Sequence, residues 1–173
     1  MNIMDRYIGQ GMGKYIEKEI FSATKSLLIS SPSISISFGK RLFKMAEDGV
    51  EIKVITSDKT GTEGDKTNLL AQNFIKPTIP LDYKVVSTKE TPMIHVKLYV
   101  VDGKTAIIGS PNLGENHFWK YAEYIWVLRE PELVKTTMKD YETRWSSYND
   151  SKMELSNTKR KSKNIIRGIR RKM

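Results

Sequence analysis

The chain contains no cysteine and only two histidines, His95 and His117, among its 173 residues. Without thiols there is neither a disulfide framework nor a thiolate metal site, and two imidazoles are too few for a histidine-rich metal centre. No apolar run is long enough to span a bilayer. The first ten residues mix Asp5, Arg6 and Gln10 with apolar positions, unlike the hydrophobic stretch of a signal peptide. No internal repeat is visible. These absences predict a soluble, cytoplasmic protein with one domain over residues 1–150 and a tail over 151–173.

What the chain does have is positive charge, unevenly placed. Its formal net charge is +9. Eight of the 29 Lys and Arg residues lie in Lys159–Met173: Lys159, Arg160, Lys161, Lys163, Arg167, Arg170, Arg171 and Lys172. Without them, 21 basic residues face 20 acidic ones, so the body is close to neutral and the charge belongs to the tail. Three readings of that tail stand side by side. It is a solvated disordered end, a nucleic-acid arm, or an interfacial helix with Ile165, Ile166 and Ile169 on one side against an anionic membrane surface.

Hydrophobic periodicity predicts helices over Gly13–Lys25, Phe38–Asp48, Thr67–Ile75 and Glu132–Tyr148. Strands are expected at Leu27–Ser30, Val50–Thr56, Tyr83–Val86, His95–Val101, Thr105–Gly109 and Tyr121–Leu128. Ser57–Lys66 and Lys89–Met93 read as loops. Strands alternating with helices indicate an α/β fold, a mixed sheet sandwiched between helices. Gly9–Lys14 and Gly103–Thr105 have the look of phosphate-binding loops, but Ile8 and Leu98 occupy first-glycine positions, and no strand is expected before Gly9.

The informative segment is His95–Asn112, H-V-K-L-Y-V-V-D-G-K-T-A-I-I-G-S-P-N. Alternation on a strand turns His95 and Lys97 one way and Val96, Leu98 and Val100 the other, toward the core. If Asp102-Gly103 is a two-residue turn, Val101 pairs with Lys104, which sets Ser110 opposite His95 and Ile108 opposite Lys97. Gly109 clears space where a substrate can approach the backbone, and Ser110-Pro111 reads as an N-cap followed by the first helical position. An imidazole, an ammonium, a hydroxyl and free amide donors at one end of a hairpin suit phosphoryl transfer.

The same segment resembles the phospholipase D superfamily, whose signature HxK(x)4D(x)6GSxN falls on His95, Lys97, Asp102, Gly109, Ser110 and Asn112. Six fixed residues at fixed gaps make a chance match rare. The resemblance implies a phospholipase D-like fold and a phosphohistidine mechanism without metal or cofactor. One histidine attacks phosphorus while a second protonates the leaving oxygen and then activates water. Lys97 and Asn112 would hold the non-bridging oxygens, Ser110 would support them, and Asp102, at the turn, reads as architectural. Family members carry a Glu on the next strand that orients the nucleophile, and Glu123 is placed for that. Tyr121 departs from the family nucleases, which often have Asn two residues before that Glu.

The mechanism needs two motifs and this chain holds one, so the resemblance implies a two-fold homodimer pairing His95 from each copy. His117, after the motif, reads as an ordinary histidine. Phe118, Trp119, Tyr121, Tyr124 and Trp126 read as core or dimer-interface residues. An endonuclease on DNA or RNA is the leading expectation. A phospholipid phosphodiesterase and a nucleic-acid-binding module with a vestigial site are the alternatives.

Overall fold

The computed structural model describes residues 3–57, 80–86 and 94–148. The expected helix Thr67–Ile75, the loop Lys89–Met93, most of the loop Ser57–Lys66 and the basic tail lie outside them. Seven strands form one mixed sheet: β1 (Met4–Gln10), β2 (Ser26–Ser30), β3 (Glu51–Ser57), β4 (Leu81–Val86), β5 (Lys97–Val101), β6 (Thr105–Gly109) and β7 (Ala122–Leu128). Their order is β1-β7-β6-β5-β2-β3-β4. β2, β3 and β4 run parallel, and every other neighbouring pair is antiparallel.

Among the described residues four helices cover the sheet: α1 (Gly13–Ile20), α2 (Ile36–Glu47), α3 (Glu115–Trp119) and α4 (Pro131–Ser147). Ser35 caps α2 by accepting from the Phe38 amide at 3.4 Å, and Phe38, Leu42 and Ala46 form its buried stripe. Gly49 follows with φ 96°, a conformation that ends the helix and turns the chain into β3. α1, α2 and α3 share one core with Leu27, Ile29, Tyr99, Ile107 and Ile125. On the other face, Val134 and Tyr141 of α4 pack against Leu28, Val100 and Ala106. Each fully buried aliphatic side chain contributes about 1.5–3 kcal/mol, so the sheet is held from both sides. Lys84, 8% exposed, donates to the carbonyls of Trp145 and Tyr148 at 2.8 and 2.7 Å, placing a cation at the negative end of α4. Among the described residues no helix is long and apolar enough to cross a membrane.

Three expectations need correction. First, Met4–Gln10 is a strand that pairs with β7 along its whole length, so a strand does precede Gly9. Its pattern is weak because it is an edge strand with exposed Met4 and Ile8 and no buried residue. Second, Val101 pairs with Thr105 and Lys97 with Gly109. Asp102 and Gly103 do take positive φ, 52° and 62°, and Lys104 donates to the Val101 carbonyl at 2.9 Å. Lys104, however, is an extra loop residue, and one extra residue shifts the register by one. The ladder ends at Lys97, so His95 lies before the strand and is not paired with Ser110. Third, Lys97 does not face away from the core. Both faces of β5 are buried, and Lys97 shares the face of Tyr99 and Val101.

Asp102 ties the hairpin turn to the start of β2. Its carboxylate accepts from the amides of Thr24, Lys25 and Ser26 at 2.8–3.1 Å and from the Thr24 hydroxyl at 3.1 Å. Partial burial by itself would raise this carboxyl. The amides of Ser26, Lys25 and Thr24 and the Thr24 hydroxyl outweigh it and hold the group below its ordinary value of 3.8. A depressed carboxyl stabilises the fold above its unfolded value and loses that contribution as pH falls through the folded one. Asp102→Asn, which tolerates the same positive φ, should therefore cost about 1–3 kcal/mol at pH 7. In urea unfolding, the gap to wild type should close as pH drops below about 3.8; a gap that stays constant with pH would contradict this account.

Candidate active site

The motif residues other than Asp102 gather at the open end of the β5–β6 hairpin. Lys97 begins β5, Gly109 ends β6, and Glu123 is the second residue of β7. Lys97 pairs with Gly109 and Gly109 with Ile125, so Glu123, two residues before Ile125, lies on the same sheet face as Lys97. Neither is an ordinary surface charge: Lys97 is 6% exposed and Glu123 7%. The Lys97 ammonium donates to the His95 carbonyl at 2.8 Å, and Ser30 donates to the Val96 carbonyl at 3.2 Å. The backbone beneath His95 is thus held by two side chains, while His95 itself is exposed.

At Gly109 the structure shows a constraint from within the sheet. A Cβ there would lie 2.3 Å from the Tyr124 carbonyl oxygen and 3.1 Å from the Ile125 Cα. The close approach in the structure is that of β7. Ser110 does not cap a helix. Its amide donates to the Tyr124 carbonyl at 3.0 Å, its hydroxyl accepts from the Tyr124 amide at 3.0 Å, and that hydroxyl also donates to Glu123 Oε2. These bonds keep Ser110 alongside β7, and helix α3 begins only after Gly114.

The loop from Ser110 to Gly114 is clamped by the core. The Tyr99 hydroxyl, on a fully buried ring, donates to the Pro111 carbonyl at 2.8 Å. Burial, reinforced by the Glu123 charge, pushes that phenol well above its ordinary range, so it stays a neutral donor. Ser31 accepts from the Leu113 amide at 3.0 Å, and the Ser35 amide donates to the Leu113 carbonyl at 2.9 Å. Asn112 sits between these anchors.

His117, expected to be ordinary, belongs to the site. Its Nδ1 is 2.7 Å from Glu123 Oε1, and its Nε2 is 3.0 Å from Asn112 Nδ2. Its ring also meets Tyr121 edge-on, with centroids 5.0 Å apart. Both Glu123 oxygens are thus engaged by Ser110 and His117, and neither bond goes to His95. The signal for His117 in the sequence was its position, five residues after Asn112 and six before Glu123. Asp102 stands at the far end of the hairpin, bonded to Thr24–Ser26. Among the described residues, no cluster of three or more His, Asp or Glu side chains is disposed to hold a metal ion.

Chemically, the site offers an exposed imidazole, a buried ammonium, an amide and a hydroxyl beside a buried carboxylate. That set suits a phosphate ester, whose oxygens need cations and donors around them.

A family model described as "Cardiolipin synthase, PLD-like domain" matches residues 16–145. Among solved structures, the chain is similar to the phospholipase D family member Nuc from Salmonella typhimurium. The TM-score is 0.67 at 21% identity, over 85% of this chain and 97% of that one. NucT from Helicobacter pylori gives 0.68 at 13% identity, over 85% and 98%. TrmBL2, an archaeal chromatin protein with a novel mode of DNA binding, gives 0.62 at 11% identity, over 86% and 54%. At these identities the likeness is one of fold, and it covers the mixed sheet and its flanking helices. No curated protein sequence matches the chain.

Gly109→Ala should force β6 and β7 apart. Thermal unfolding should show a loss of about 1–3 kcal/mol, as for other overpacked sites. An unchanged melting temperature would show that the Tyr124 carbonyl is not the constraint.

Proposed function

The chain belongs to the phospholipase D-like family, and from that premise we propose that it is a metal-independent phosphodiesterase acting through a phosphohistidine, with nucleic acid as substrate. The observation that carries this reading is the convergence of His95, Lys97, Ser110 and Asn112 at one sheet end, with Lys97 buried below an exposed His95. An imidazole nitrogen of His95 attacks phosphorus, forming a P–N bond as one ester oxygen departs. A second imidazole gives that oxygen its proton, then takes one from the water that releases His95. Lys97 and Asn112 stabilise the charge on the non-bridging oxygens, and Ser110 supports them. Glu123 acts through the groups it holds, and Asp102 keeps the hairpin turn in place.

The second imidazole comes from a second copy of the chain. An apolar strip supports this. Ile8 pairs with Tyr124 and Ile108 with Trp126, which puts all four on one face of the sheet. Ile8, Tyr124 and Ile108 are 57%, 41% and 39% exposed. The strip reaches the site, because Tyr124 is bonded to Ser110 through both its amide and its carbonyl. Covering it with its symmetry mate brings two sites together.

Nucleic acid is favoured by the eight Lys and Arg residues near the C-terminus, which can neutralise successive phosphates. The DNA binding of TrmBL2, on the same fold, is consistent with it. A phospholipid is the second reading, favoured by the cardiolipin synthase description of the family model.

One panel separates these readings: plasmid, single-stranded DNA, RNA and anionic phospholipid vesicles, all with EDTA. Wild type should cleave a nucleic acid, and His95→Ala should lower the rate by about 10³-fold or more. Since the paired imidazoles share one proton, kcat should be bell-shaped in pH. Abolition by EDTA would sink the metal-free mechanism; binding without His95-dependent hydrolysis would favour a binding module. Separately, Ile108→Asp should give a monomer by sedimentation, with activity lost in step with the dimer. A fully active Ile108→Asp monomer would remove the shared site.

A further inference from the structure

We propose that Tyr121 is a stacking platform for an unpaired base, so that this site selects a single strand of nucleic acid over a double helix. This rests on the phosphodiesterase reading, which gives Asn112 the non-bridging oxygens of the phosphate under attack.

Tyr121 stands in the turn between α3 and β7 and is 49% exposed. The turn is fixed from two sides. The Tyr121 amide donates to the Asn116 carbonyl at 2.8 Å, and its carbonyl accepts from the Gly11 amide at 3.1 Å. The ring meets His117 with centroids 5.0 Å apart and planes at 84°. In a perpendicular pair one ring offers the other only an edge, so His117 covers at most one face of Tyr121. His117 Nε2 is in turn 3.0 Å from Asn112 Nδ2. A single side chain thus separates an open aromatic face from the group assigned to the phosphate. In a nucleotide a single sugar separates the base from its phosphate, so a strand held at Asn112 brings a flanking base within reach of Tyr121.

The other exposed aromatics among the described residues are engaged elsewhere. Tyr15 is stacked on Tyr7 with centroids 5.0 Å apart, and the Trp119 indole donates to Glu17 at 2.7 Å. Tyr124 meets Trp126 on the sheet face of the apolar strip. Tyr121 has no ring partner but His117 among the described residues. Its neighbour Lys120 is exposed, a cation available to an adjacent phosphate. A fixed ring with a free face beside a cation suits a single strand, because every base has a π-face to lay on it. The backbone bonds that hold Tyr121 also keep the ordering cost of stacking low. Paired bases already stack on one another and show only their edges in the grooves, so a double helix has no face to give. A phospholipid has no flat base at all.

Two oligomers of equal length and charge isolate the base: oligothymidylate, and an abasic strand with the same sugars and phosphates. Binding is read by fluorescence anisotropy with EDTA on the full-length His95→Ala protein, so that neither is cut. This parent should prefer oligothymidylate to the abasic strand. Adding Tyr121→Ala should weaken oligothymidylate about tenfold, and leave the abasic strand and an oligothymidylate–oligodeoxyadenylate duplex within about twofold. Tyr121→Phe should bind as the parent does, because the ring face is used and not the hydroxyl. With His95 intact, Tyr121→Ala should raise KM on the single strand about tenfold with kcat within about threefold. A parent that binds both oligomers equally, equal losses on the two, or an equal loss on the duplex would each overturn the proposal. So would an anionic-vesicle affinity that falls with the ring. A Tyr121→Ala protein that is monomeric where the parent is dimeric would place the ring between copies and overturn it as well. Absence of His95-dependent cleavage would defeat the phosphodiesterase reading instead, and the binding comparison would still decide the role of Tyr121.

Discussion

A carboxylate buried to 7% exposure is costly unless its oxygens are met, and Glu123 is met by Ser110 on one oxygen and His117 on the other. Those partners stand on either side of the loop that carries Asn112. Satisfying one buried charge therefore fixes where the loop leaves β6 and how α3 sits when the chain returns. The middle of the loop is fixed from the core side, by the Tyr99 hydroxyl on Pro111 and by Ser31 and Ser35 on Leu113. Remove the carboxylate, and the hydroxyl and the imidazole lose their shared anchor together.

The hairpin that bears the motif is pinned at both ends. At the turn, Asp102 accepts from the backbone of Thr24–Ser26; at the open end, Gly109 lets β7 approach closely enough to hold Ser110. Between them Tyr99 and Ile107 pair across the ladder, both fully buried. Rigid strands thus carry the groups that must stay in register, Lys97 and Glu123. His95 lies outside the ladder and is exposed, as the proposed mechanism requires of a group that meets both a substrate and a second imidazole.

Charge and apolar surface are separated along the chain in a way that bears on partners. The body is close to neutral, and the excess of basic residues lies in the terminal stretch. The exposed apolar strip of Ile8, Tyr124 and Ile108 lies on the sheet face opposite the buried Glu123 and Lys97. The strip nevertheless borders the site, because Tyr124 is bonded to Ser110 through its amide and its carbonyl, so in the proposed dimer the second copy and the phosphate under attack meet at the same end of the sheet.

Much of the architecture was legible in the sequence. The stripe Phe38–Leu42–Ala46 marks α2, the helix expected over Glu132–Tyr148 is α4, and β6 has its expected bounds, because period and punctuation are local properties. β1 was not, since an edge strand with no buried residue has no pattern to read. The motif residues were likewise visible, because six fixed types at fixed gaps are recorded in the sequence itself. The hairpin register was missed because one unpaired residue, Lys104, shifts it, and only competition among the pairings of β5, β6 and β7 decides that shift. His117 was missed for a related reason. Its meaning comes from Glu123 and Asn112, which are near it only after α3 packs and β7 returns. The sequence by itself determined which chemical groups this protein can bring to the candidate site. The tertiary structure decided which of them touch, because contact between a helix, a loop and a strand depends on burial and on the pairing of buried polar groups, and neither is a property of any one segment.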